Sequence, residues 1–329
     1  MDEKQAGLLA KYELDIYRSN RMKGTWILET AQGLKLFGSS SFSEGKLTFE
    51  QKVKDHARAH GFPDVDSYVL TKEGNYLVQG PYGEGFVMRD WYMGEECDAK
   101  DAGHVLTAVR ALARLHNSLT GMELTEEEKA FCLQPKVTEL LERRNRELRR
   151  VRTYIRAKKQ KSSFEQKFLS QFTMLYAQAE RATGLLDAEE YEACYTAATE
   201  AGTMLHGNFT HHSVILCEDT VAVTGFQKAV TGIQVHDFYL LFRKILEKWD
   251  WAPELGEKML AEYESIRPLP KEEKRLLLVL LSYPEKFWKI ANQYYNNRKS
   301  WIPEKNMQKL IQTMEQAEKK EETIRILFT

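Results

Sequence analysis

Apolar and polar positions change rhythm about ninety residues into the chain. Before that point the short runs YELDIYRS, GTWILET and GLKLF alternate β-branched or aromatic residues with polar ones, and Gly or polar turns divide them. The Ala31-Gln32-Gly33 turn reads as a short hairpin connection. FSEGKLTFEQKVKDHARAHGF then takes up helical spacing, with Phe49, Val53 and Ala57 four apart and Gly61 as the stop. Further strands are predicted at DSYVLTK, NYLVQGP and GFVMRDWYMG. Beyond residue 98 the rhythm is helical almost throughout. In HVLTAVRALARLHNSL the apolar positions Val105, Val109, Leu112, Leu115 and Leu119 mark one face. Long helical segments follow over 135–204, 236–263, 271–296 and from about 303. Only 206–235 interrupts them, with the strands SVILC and TVAVTGF around Glu218-Asp219.

The pattern predicts an α+β, bilobal chain. A β-rich lobe, a small antiparallel sheet with one helix, occupies residues 1–93, and a larger, mainly helical lobe occupies 94–329 and carries a hairpin region at 206–235. With 329 residues, 43% hydrophobic and 29% charged, the chain has the make-up of a globular protein with a substantial core. No apolar run approaches the ~18 residues of a membrane span, and the N-terminus lacks a signal-peptide core, so a cytoplasmic protein is expected. The four cysteines, Cys97, Cys132, Cys194 and Cys217, form no CxxC pair, which argues for reduced thiols rather than a metal or disulfide framework.

A net charge of -1 gives no global attraction to a polyanion. Locally, residues 142–161 carry ten Lys/Arg and two Glu. That run reads either as a contact surface or as a solvated face offset elsewhere, for example by TEEEK at 125–129. It has little aromatic interleaving, so nucleic acid is not the expected partner.

The order of elements, together with GLKLF, RDWYMGEECD, ALARLHNSLTGM and SYPEKFWKIANQYYNNRKSWIPEKNMQKL, resembles the protein-kinase-like fold in its aminoglycoside and choline kinase branch. Within that branch it is most similar to the CotS-type spore coat proteins of endospore-forming bacteria. Phosphoryl transfer in such a fold uses a strand Lys held by a helix Glu, a catalytic Asp, and metal-binding Asn and Asp. The resemblance places Lys35 at the strand position as a possible nucleotide-pocket residue. Glu50 is its partner, with Glu44 as the alternative. His206 and Asp237 fall on positions that brace the catalytic loop.

The chemical positions depart from the pattern. Where the family has His-Gly-Asp, four residues and Asn, this chain has His206-Gly207-Asn208 and then Ser213. Asn208 has no basicity to accept a proton, and a Ser213 hydroxyl is a poor Mg²⁺ ligand beside an amide oxygen. The last metal-binding Asp is replaced by Gly225, with Gln227 in place of a second acid. No catalytic residue and no metal site is therefore expected.

His211 and His212 lack the convergent cluster that zinc requires, and Ser213 with either histidine lacks a nucleophile-elbow context. The expectation is a catalytically inactive kinase-like protein with no required cofactor and at most weak ATP binding without Mg²⁺. The resemblance implies synthesis in the mother-cell cytoplasm and assembly into the spore coat with other coat proteins. The basic helix and the aromatics Tyr294, Tyr295 and Trp301 are its candidate contact surfaces. The alternatives are an ATP-dependent small-molecule phosphotransferase and a nucleotide-binding pseudokinase without turnover.

Overall fold

A computed structural model describes residues 3–22, 24–296 and 303–328. A short helix, α1 (Glu3–Leu9), precedes strands β1 (Ile16–Met22), β2 (Thr25–Thr30) and β3 (Gly33–Ser40). Next come helix α2 (Glu44–Ala59) and strands β4 (Leu77–Gln79) and β5 (Gly85–Asp90). The five strands form one antiparallel sheet in the order β1-β2-β3-β5-β4. Gly33, at φ +89°, makes the tight β2–β3 turn, a backbone conformation that glycine adopts without steric cost.

The predicted strand DSYVLTK is instead an extended strap. Together with Asp64 and Val65 just before it, this strap touches its neighbours through single bridges, Val65 with Val223 and Tyr68 with Arg89. Its backbone bonds run to two lobes at once, because Asp90 N donates to Ser67 O while Val223 N donates to Asp64 O.

Each face of the small sheet is buried differently. Phe37 and Met88 pack with Leu8, Leu9, Tyr12, Leu28 and Val78 on the α1 side, whereas Val87 packs with Leu47 of α2 and with Tyr68. Ser43 caps α2 by accepting from Lys46 N. The helix lies in the seam between lobes, since its Phe49, Val53 and Ala57 belong to the core of the large lobe.

The connector pairs as β6 (Glu95–Glu96) with the hairpin of the large lobe. Helices α3 (Ala102–Ser118), α4 (Glu126–Cys132), α5 (Val137–Ala157), α6 (Ser163–Gly184) and α7 (Ala188–Glu200) follow. Asp101 caps α3, and Thr125 and Ser162 make capping boxes with Glu128 and Glu165. Strands β7 (Met204–Leu205), β8 (Val214–Leu216), β9 (Val221–Val223) and β10 (Val230–Thr231) carry the predicted hairpin region, as a β6-β8-β9 sheet and a β10-β7 pair. Helices α8 (Val235–Lys248), α9 (Pro253–Glu264), α10 (Lys271–Ser282), α11 (Glu285–Asn296), α12 (Pro303–Glu315) and α13 (Ala317–Phe328) complete the lobe. The fold is bilobal α+β, a small antiparallel sheet on a large helical body. Among the described residues, no helix is long and apolar enough to cross a membrane.

Candidate functional site

The loop between β7 and β8 is held by its backbone. The Asp237 carboxylate, fully buried on α8, accepts from His206 N at 2.6 Å and from Gly207 N at 3.0 Å. His116 of α3 approaches the same carboxylate at 3.5 Å through Nε2, and its Nδ1 lies 2.6 Å from the Tyr263 hydroxyl. Burial lowers the His116 pKa despite Asp237, which favours the neutral ring with Tyr263 donating to it. His206 Nδ1 accepts from Asn208 N at 3.3 Å, so its Nε2–H donates to Thr224 O at 3.0 Å. Gly207 sits at φ +77°, and a Cβ there would lie 1.8 Å from Lys228 O. Only glycine fits between the loop and the 226–228 turn.

The side chains at the chemical positions are arranged otherwise. Asn208 is exposed. Ser213 is buried and its carbonyl accepts from Thr224 N at 2.8 Å. Gly225, at φ +91°, donates its N–H to Asp66 Oδ2 at 3.2 Å. His211 and His212, with ring centroids 3.9 Å apart, take different polar partners. His212 pairs with Glu96, while Lys248 donates to His211 Nε2 at 3.0 Å. Burial, together with His212 and Lys248, holds His211 down to about 4. A ring nitrogen that accepts from an ammonium is not available to a metal.

Lys35 and Glu50 do not pair, which corrects the expectation for those two residues. Lys35 Nζ bonds Asp90 Oδ1 at 2.6 Å and Gln32 O at 2.9 Å. The reason is the two-residue alternation of a strand. Lys35 shares its face with Phe37, whose neighbours are on the α1 side, whereas α2 packs on the opposite face. The alternative partner, Glu44, accepts from Tyr76 N and Leu77 N at 2.6 and 2.8 Å and anchors β4.

Glu50 belongs to a different cluster. Its Oε1 lies 2.8 Å from Lys54 Nζ one helical turn on, and its Oε2 accepts from the Tyr68 hydroxyl at 2.8 Å. Lys54, fully buried, also donates to Asp66 O at 2.8 Å and stands 3.3 Å from Asp66 Oδ1. Its ammonium lies 3.9 Å from the Tyr68 ring centroid. Arg89 of β5 bonds Asp66 Oδ2 at 2.9 Å. Gln227, its amide oxygen turned toward Arg89, accepts at 3.1 Å and donates to Gly225 O at 3.0 Å.

A continuous polar bridge thus runs from α2 and β5 of the small lobe through Asp66 to Gly225 and Gln227 of the large lobe. Sequence reasoning missed Lys54, Asp66 and Arg89. Lys54 had a signal, because it stands seven residues after Leu47 and four after Glu50, on the buried side of α2. Asp66 and Arg89 had none.

The fold implies a Mg²⁺ nucleotide between these lobes, and the residues present do not fit it. A hard cation needs several oxygen ligands with negative charge among them. Asn208, Ser213 and Gly225 offer no carboxylate, and the carboxylate of Asp66 already meets Lys54, Arg89 and Gly225 N. No phosphoryl-transfer step is derived through such a metal.

The fold is kinase-like, with an aminoglycoside phosphotransferase architecture. The chain is similar to an aminoglycoside phosphotransferase from Alicyclobacillus acidocaldarius, at a TM-score of 0.85 and 21% identity, over 98% of this chain and 94% of that one. It is similar also to the spectinomycin phosphotransferase APH(9)-Ia, solved with ADP and spectinomycin, at a TM-score of 0.65 and 10% identity over 96% and 97%. A point mutant of aminoglycoside 2'-phosphotransferase-IIIa, solved as its GDP complex, matches at 0.62 and 8% over 94% and 96%. At these identities the likeness is one of fold. A family model described as "Spore coat putative kinase YutH" matches residues 5–327, and the chain belongs to that spore coat family.

Proposed function

We propose that this chain is a kinase-shaped structural or assembly component of the bacterial spore coat, without Mg²⁺-dependent phosphoryl transfer. Membership of a spore coat family supports the setting. The observation that carries the inactive reading is the engagement of Asp66, in which Lys54, Arg89 and the N–H of Gly225 meet the carboxylate beside the metal-binding positions. Loss of a general base alone costs about 10²–10⁴ in rate. Loss of the metal removes several kcal/mol more from transition-state stabilisation, at about 1.4 kcal/mol per tenfold. The two losses do not add simply, because the groups act together. In this reading no cofactor is required, any ATP is bound weakly and without Mg²⁺, and the partners are other coat proteins met after synthesis in the mother-cell cytoplasm.

The test is ADP release from ATP and Mg²⁺ across a panel of hydroxylated small molecules, including aminoglycosides and choline. The expected rate is that of the protein-free control. Turnover abolished by Lys35→Ala or Asp66→Asn would establish instead an ATP-dependent small-molecule phosphotransferase with displaced ligands.

A further inference from the structure

The basic run of 142–161 divides into two sets, and only one of them is used within the molecule. Helix α5 buries a single stripe, Val137, Leu141, Asn145, Leu148, Val151 and Ile155. Beside that stripe, Arg144 pairs with Glu285 and lies 4.2 Å from the Trp288 ring centroid, Arg152 stands 4.8 Å from the Phe172 ring centroid, and Lys158 pairs with Glu165. The acidic TEEEK segment does not offset the run, because Glu128 pairs with Lys52 and Glu126 with Lys129.

The outward face holds Arg143, Arg146, Arg149, Arg150 and Arg156, all exposed. Arg146 reaches Glu142 at 3.5 Å. Among the described residues, the other four make no ion pair. Arg143/Arg146, Arg146/Arg149 and Arg146/Arg150 stand three or four apart, the spacing at which like charges destabilise a helix. The row runs about 20 Å along the axis, at 1.5 Å per residue.

We infer that this arginine row is a docking surface for an acidic polypeptide segment. The guanidinium fork recognises carboxylates in pairs and keeps its charge in every environment. Charge complementarity selects the occupant. Exposed Glu139 and Glu142 stand at the N-terminal end of the same face. A uniform polyanion such as nucleic acid would meet those carboxylates, while a polypeptide can set a lysine against them. Toward the C-terminal end the face carries Thr153 and Ala157, and the half-buried Tyr154 is packed against Tyr294 and Tyr295, so little apolar surface is offered to a lipid bilayer. The net charge of -1 supplies no long-range attraction to polyanions in general. The inference rests on α5 alone and is independent of what the cleft binds.

The experiment is fluorescence anisotropy of a labelled Glu-rich helical peptide carrying one N-terminal lysine, titrated with the full chain at several salt concentrations. A single-stranded oligonucleotide of equal charge and phosphatidylglycerol vesicles serve as competitors. The expected result is salt-dependent peptide binding that weakens about tenfold in R143Q/R149Q/R150Q, at a melting temperature that is not lowered. The lysine variant R143K/R149K/R150K is expected to lose less. Absence of binding, equal binding by the Gln variant, or preferential capture of the oligonucleotide or the vesicles would overturn the inference.

Discussion

His206-Gly207 and Asn208 are consecutive in the chain and are held in opposite ways. The first two are locked by a buried carboxylate, a ring–carbonyl bond and a backbone contact that admits no Cβ. The third presents its side chain to solvent. The difference separates two demands that an active-site loop usually meets together. Loop shape is fixed from behind by α8 and by the turn at 226–228. Loop chemistry depends on side chains at the front, which the fold does not need. At the front Asp66 pairs with Lys54 and Arg89 and accepts from Gly225 N, so an internal network joins the lobes there.

The network at the front is predicted to give the largest stability effect. Lys54→Met leaves Glu50 buried without its cation and should cost about 3–5 kcal/mol in urea unfolding. Adding Glu50→Gln should recover part of that loss, and simple additivity in the double-mutant cycle would argue against the pairing. Behind the loop, Gly207→Ala should cost about 2–4 kcal/mol through left-handed strain and collision with Lys228 O, measured the same way.

A sharper comparison sets Asp237→Asn against Asn208→Ala. The first loses charge-assisted bonds to two backbone N–H groups and should cost about 1.5–3 kcal/mol. The second alters an exposed side chain and should stay within about 0.5 kcal/mol. Equal costs would erase the distinction between the two halves of the loop.

A pH dependence is also expected. His211 titrates at about 4 in the folded chain against an ordinary 6.5, with burial, His212, Lys248 and Lys244 disfavouring its charge and Glu96 favouring it. The unfolded chain therefore binds that proton more readily. The stability due to neutral His211 is complete above pH 6.5 and is lost as pH falls from 6.5 toward 4. His211→Gln should flatten that part of the stability profile. An unchanged slope between about pH 7 and 5 would mean that other groups carry it.

Much of this was legible from residue patterns. The change from two-residue to helical spacing located the lobes' sheet and helices, and Gly61 marked the end of α2. The loop positions 206–213 and Gly225 were legible from motif spacing. DSYVLTK was misread because a strap that bonds alternately to two lobes has a strand's composition without a continuous ladder. The Lys35–Glu50 pairing was misread because motif position gives a residue's place along a strand and not which face it takes. Asp66 and Arg89, 23 positions apart, meet only through the packing of the strap on β5, and nothing local to either predicts that. The expected aromatic surface is also divided. Tyr294 lies 5.3 Å from Phe164 and bonds Glu165, Tyr295 is exposed beside Tyr154, and Trp301 lies outside the described residues.

The proposed inactivity rests on Asp66, a buried carboxylate between the lobes that is already ion-paired from within. Isothermal titration of the full chain with ATP, with and without Mg²⁺, tests it most directly. The expected result is weak or absent binding that Mg²⁺ does not strengthen. Micromolar binding that requires Mg²⁺ and is lost in Asp66→Ala would contradict it, because Asp66 would then be a metal ligand and not part of an internal bridge.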